Sequence, residues 1–114
     1  MFRSEAQRAR ACRALCRRAR MPGMWSETGP TEEAIAALES NGGPLSSGER
    51  IMILCAWAFW NGGGELTVAD VVERLDGRNL SAVGGLMVAL ASGGAAIEGW
   101  LVKMEEQLER EGRR

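Results

Sequence analysis

Three cysteines, fifteen acidic side chains and no histidine are what this 114-residue chain offers for chemistry. The missing histidine removes Ser-His and Cys-His nucleophile pairs and imidazole acid–base work. A zinc site would need thiolates or carboxylates alone. Cys12 and Cys16 stand one helical turn apart, so both could touch one ion, but two thiols are half a zinc site and Cys55 lies inside an apolar run. Small residues lining a helix face are the simpler reading. Asn61-Gly62-Gly63-Gly64 is glycine-rich but lacks the Lys-Ser/Thr of a phosphate loop, and reads as helix termination. The carboxylates fall on faces expected to be exposed, with no pair beside an apolar pocket. No catalytic, cofactor-binding or metal-ligating residue is therefore assigned. No cofactor is expected, and the chain is expected not to be an enzyme.

What must be positioned instead is apolar surface. Residues 51–60, IMILCAWAFW, are ten apolar side chains in a row. A bilayer needs about twenty, so a membrane span fails on length. The run is preceded by Ser46 and Glu49 at capping-box spacing and followed by Asn61-Gly62. It has few β-branched residues and no alternation, which predicts a helix over about 47–61. A helix apolar on all sides belongs at the centre of a fold.

Charge divides the chain. Residues 1–20 hold seven arginines (3, 8, 10, 13, 17, 18 and 20) against Glu5 alone, a balance of +6. Residues 21–114 hold seven cations and fourteen acids, a balance of −7. The first twenty residues favour helix by composition, with Ala6, Ala9, Cys12, Cys16 and Ala19 forming a thin apolar stripe and Leu15 flanking it. They read as a basic helical arm, marginal alone and removable without unfolding the rest. Met21 and Met24 offer later translation starts that would make the arm upstream sequence. Residues 21–30 read as a linker, bounded by Pro22 and Pro30, with Trp25 anchoring it. Residues 31–114 read as one all-α domain.

Within that domain, Thr31 is expected to cap a helix that stops at Asn41-Gly42-Gly43-Pro44. Thr67 and Asp70 form a second box, Leu66 and Val71 a staple. Asn79 is expected to cap the next helix, whose Gly85, Ala89 and Gly93 make a smooth ridge for the tryptophans of residues 51–60. Residues 95–111 place Ile97, Leu101, Met104 and Leu108 on one face, with Trp100 beside them. Leu54, Trp57, Leu86 and Leu90 are expected in the core. The fold expected is a compact bundle of five to six short helices around a central apolar one.

TVADVVERL, the turn DGRN and LSAVGGLMVALASGG together resemble the helix-turn-helix of winged-helix regulators over about 30 residues. Val68, Val71, Val72 and Leu75, then Leu80, Val83, Met87 and Leu90, have that pair's apolar register. The resemblance implies a DNA-binding transcriptional regulator. The pattern departs where base reading would occur: beyond Arg78, Asn79 and Ser81 the second helix offers only apolar residues and glycine. A helix rather than a two-stranded wing follows Gly93-Gly94, and residues 21–114 repel phosphate.

The function expected is a non-catalytic protein–protein interaction module. Its specific form would be a small inhibitor or adaptor acting on a nucleic-acid-binding protein, of phage or mobile-element type. Four tryptophans are many for this length, and tryptophan is favoured at interface hot spots. Trp25, Trp60, Trp100, Arg10, Arg13 and Arg17 are the expected partner-binding residues. A homodimer is expected, with weak, non-specific nucleic-acid contact through the arm and no sequence-specific binding. Thirteen arginines against one lysine suggest a GC-rich bacterial genome. An odd number of cysteines forms no disulfide framework, no secretory signal is visible, and a cytoplasmic location is expected.

Overall fold

The computed structural model describes residues 1–40, 43 and 45–112. Six helices follow in chain order: α1 (Glu5–Arg18), α2 (Glu32–Glu39), α3 (Ser47–Asn61), α4 (Val68–Arg74), α5 (Gly77–Ser92) and α6 (Gly94–Gly112). The described residues contain no strand, and the Cα radius of gyration of 13.1 Å suits a compact chain of this length. No helix among the described residues is long and apolar enough to cross a membrane.

Local chemistry sets most helix starts. The Ser46 hydroxyl accepts from Glu49 N at 3.2 Å, and the Glu49 carboxylate accepts from Ser46 N at 2.9 Å. Thr67 and Asp70 repeat that box at 3.0 and 3.3 Å. Thr31 caps α2 by accepting from Ala34 N. The start of α5 differs from expectation. Asp76, not Asn79, is the N-cap, and its carboxylate accepts from Asn79 N at 2.8 Å. An ionised side chain three residues upstream outcompetes the amide and starts the helix one turn earlier. α3 ends at Gly62, which adopts the left-handed conformation. The expected stop after α2 lies, apart from Gly43, outside the described residues.

The basic segment is not a peripheral arm. α1 packs against α3, α6 and α5. Ala9, Ala11, Cys12, Leu15 and Cys16 are fully buried, with Gln7 and Ala14 nearly so. The expected stripe was too narrow: Ala6 is exposed, while Ala11 and Ala14 bury a second flank. Small side chains allow this, because they let helix backbones approach on more than one side. The Cys12 thiol donates to Ala56 O, in the backbone of α3, at 3.2 Å. α3 thus packs directly against α1. Ile51–Ala56 are buried, and Trp57–Trp60 are half-buried. Of the other expected core residues, Leu54 and Leu86 are buried and Leu90 is half-buried. In α6, Ile97, Leu101, Met104 and Leu108 all face the core.

Residues 21–30 are a packed loop rather than an open linker. Ser26 N donates to Gly29 O at 2.8 Å, and the Thr31 hydroxyl donates to Gly23 O at 2.7 Å. Trp25 is 1% exposed and edge-on to Trp57 and Trp60, at centroid separations of 6.4 and 5.9 Å. Such edge contacts add to the area that the ring buries. Gly29 has φ 146, and a Cβ there would stand 3.1 Å from the Trp60 ring. Both the backbone and the contact therefore require glycine. The ridge on α5 meets a different bulky group from the one expected. A Cβ on Gly85 would stand 3.2 Å from Trp100 Nε1, which donates to Ala82 O at 3.1 Å. The ridge accommodates α6, not the tryptophans of α3.

Trp25→Ala is expected to cost about 3–5 kcal/mol, as buried tryptophan truncations do. Chemical denaturation read by far-ultraviolet circular dichroism measures it, and an unchanged midpoint would refute the aromatic cluster as core. Deleting residues 1–20 is expected to abolish cooperative unfolding in the same assay.

Candidate functional site

The six residues expected to bind a partner do not share a surface. Trp25 is enclosed by the fold, so its ring offers no outward face. Trp60 is half-buried between Trp25 and Arg8, whose guanidinium carbon lies 5.7 Å from the Trp60 ring centroid. Arg8 also donates to Trp60 O at 3.0 Å. Trp100 lies elsewhere, in the α5–α6 contact.

Arg10 forms a fork to α6. It donates to Glu105 at 3.0 and 2.5 Å and to Glu98 at 2.7 Å. Glu98 and Glu105 are seven residues apart, two helical turns, so one guanidinium spans both. The two carboxylates push the Arg10 pKa further up, and the Arg10 hydrogen bond, followed by that from Gln7, holds Glu98 below the usual carboxylate range. Arg13 reaches Glu27 at 3.6 Å. Arg17 lines a cavity with Arg20, Arg78 and Glu111. The basic helix therefore directs much of its charge to acids within the same chain, which explains how a +6 segment lies against a −7 remainder.

The cysteines are enclosed. Burial pushes the Cys16 thiol up to about 12 and the Cys55 thiol up to about 11, and raises Cys12 further. The described residues contain no group of three or more His, Cys, Asp or Glu side chains that could hold a metal ion.

Two surface features emerge that the expected site residues did not include. The first is the outer side of α5. Gly84, Met87, Val88 and Ala91 stand at i, i+3, i+4 and i+7, which places them on one face. Met87 is 57% exposed and Val88 67%. From Leu80 to Ser92 the helix carries no charge at all. On α4, Val68 and Val72 are exposed as well. Val68, Val72 and Met87 belong to the helix-turn-helix register, which needs them inside. They lie outside because α4 packs on α3 rather than closing against α5. The missed signal was the heptad-like spacing in VGGLMVALA, which reads equally as core or as a docking face. The second feature joins Arg18, Arg20 and Arg78 around Glu111. Glu111 is 93 residues from Arg18 in sequence, and no local pattern announces that pairing.

Compared with known proteins, the chain matches no family model, no curated protein and no solved structure.

The three thiols are expected to resist alkylation at neutral pH in the folded chain and to react only after unfolding, because the thiolate is the nucleophile and burial disfavours it. Mass spectrometry after iodoacetamide treatment reads this. Rapid labelling of Cys12 or Cys16 without denaturant would contradict their enclosure. The depressed carboxyls of Glu98 and Glu111 add an acid dependence to stability, a small one because both are part-exposed. Their contribution is complete above the ordinary carboxylate pKa of about 4.3 and is lost as pH falls through their lower folded values. Stability measured in steps below about pH 4 should fall less steeply in an Arg10→Gln, Arg18→Gln variant.

Proposed function

We propose that this chain is a non-catalytic protein–protein interaction module that works as a symmetric dimer through the outer face of α5. The observation that supports the reading is the uncharged stripe of Gly84, Met87, Val88 and Ala91. The interior is already filled by α1, α3 and α6, so this stripe has no internal partner to cover it. A contiguous apolar helix face in a folded protein marks a surface that another surface covers.

A second copy fits that face for two reasons. An isologous contact brings the same patch against itself. A patch without charge meets its own image with no like-charge repulsion. The more specific reading, an inhibitor or adaptor of a nucleic-acid-binding protein, leans on the acids of residues 21–114. Glu98, Glu105 and Glu111 are engaged by α1, so on α6 its support comes from exposed Glu106.

A Met87→Glu, Val88→Glu variant is expected to melt like the parent chain and to be monomeric. Sedimentation velocity at tens of micromolar, where a dimer of about micromolar affinity is populated, reads the difference. A parent chain that stays monomeric, or a variant that dimerises equally well, would overturn the proposal.

A further inference from the structure

Three open cavities of about 430, 470 and 610 Å³ meet where α1 ends and α5 begins, and Arg78 lines all of them. Volumes of this size hold small ligands. The end of α1 contributes Arg17, Arg18 and Arg20, and the end of α4 contributes Arg74. The acids nearby are mostly committed. Glu49 and Asp76 accept from backbone N–H groups as helix caps, and Asp70 reaches Arg74 at 3.7 Å. Glu111 is the carboxylate that answers the remaining arginines. It accepts from Arg18 Nη1 at 2.7 Å and from Arg78. Among the described residues Arg17 and Arg20 form no ion pair, so cations exceed acids here.

Two details mark the cluster as built. The Arg18 side chain is only 9% exposed, so its charge is held in a largely enclosed position. Arg20 has φ 64, and Met21 N bonds back to Cys16 O at 2.9 Å. That is the helix-ending position where glycine is the ordinary residue. An arginine there carries backbone strain that glycine would avoid.

We propose that this cluster binds the phosphate groups of a small molecule, and that Glu111 is a resident carboxylate which the phosphate displaces. Guanidinium forks match phosphate oxygens in pairs, and a phosphate brings more acceptors and more charge than one carboxylate. Arg18 and Arg78 would hold the group that replaces Glu111, while Arg17, Arg20 and Arg74 would meet further phosphates on the same ligand. This site is separate from the α5 face on which the dimer rests.

The test is calorimetric titration of the full chain with sodium tripolyphosphate, and in parallel with a random duplex and with vesicles of phosphatidylcholine containing a phosphoinositide. The parent is expected to bind tripolyphosphate. Arg78→Gln should weaken binding about tenfold or more, since charged hydrogen bonds are lost. Arg78→Lys, which keeps the charge without the fork, should fall between and serves if the glutamine variant folds poorly. Glu111→Gln should tighten binding. Arg3→Gln, at the other end of α1, and Met87→Glu, Val88→Glu should leave it unchanged. The proposal is overturned by no binding to the parent or to Glu111→Gln, or by equal weakening in Arg3→Gln. It is equally overturned if the duplex or the vesicles bind and tripolyphosphate does not.

Discussion

The close approach of α1 to α3 is the contact on which the rest of the structure depends. It exists because the residues between the two helices are small. Cys12 hydrogen-bonds the backbone of α3 directly at Ala56 O, and Ala11, Cys12 and Ala56 are fully enclosed. A larger side chain at any of these positions would push the backbones apart. Once α1 is seated, its five arginines cannot point into the apolar contact. They leave along the flanks, where Arg10 meets Glu98 and Glu105 and Arg18 meets Glu111. α6 thus receives an apolar face from the core and a charged flank from α1. The ion pairs are part-exposed, so each is worth little alone. Their effect is to fix which side of α6 faces α1.

The aromatic residues solve a second problem, closing the loop between α1 and α2. Trp25 sits edge-on to Trp57 and Trp60, and Gly29 passes against the Trp60 ring. Thr31 caps α2 while its hydroxyl donates back to Gly23 O. One residue therefore starts a helix and ties down the segment before it. Among the described residues, the Trp25 indole N–H is buried without an acceptor. That leaves a polar group whose lost hydration, about 1–3 kcal/mol, the ring's apolar contacts must exceed. Residues that would serve as hot spots on an open surface here hold the chain to itself.

What could be read from sequence follows the range of the interaction. The boxes at Ser46–Glu49 and Thr67–Asp70 span three residues, and spacing alone reveals them. The face of Ile97, Leu101, Met104 and Leu108 is equally legible, because large apolar residues at helical spacing leave little choice. The role of α1 was not legible. Alanine and cysteine bury so little area that their stripe looks thin, yet their smallness is what allows three neighbours to close around the helix. The partner of Gly85 was misread for a related reason. A smooth ridge announces that something bulky packs there, but not whether it comes from α3 or α6. The arginine cluster is illegible by any local rule, since Arg18, Arg78 and Glu111 come from three helices.

α5 makes the clearest case that one element can serve two surfaces. Its inner side carries Ala82, Val83, Leu86 and Ala89 into the core. That burial fixes the helix's rotation, and rotation fixes everything else it presents. Met87 and Val88 must then face outward, because they lie on the opposite side of the turn from Leu86 and Ala89. Arg78, in the first turn, must stand beside the end of α1 and face Glu111. The uncharged stretch from Leu80 to Ser92 keeps the outer stripe free of charge, while the cations collect at the helix's N-terminal end. A charge placed mid-helix would disturb the first surface, and an apolar residue at position 78 would remove the second. The two proposals thus draw on non-overlapping residues of a helix whose orientation the core alone decides.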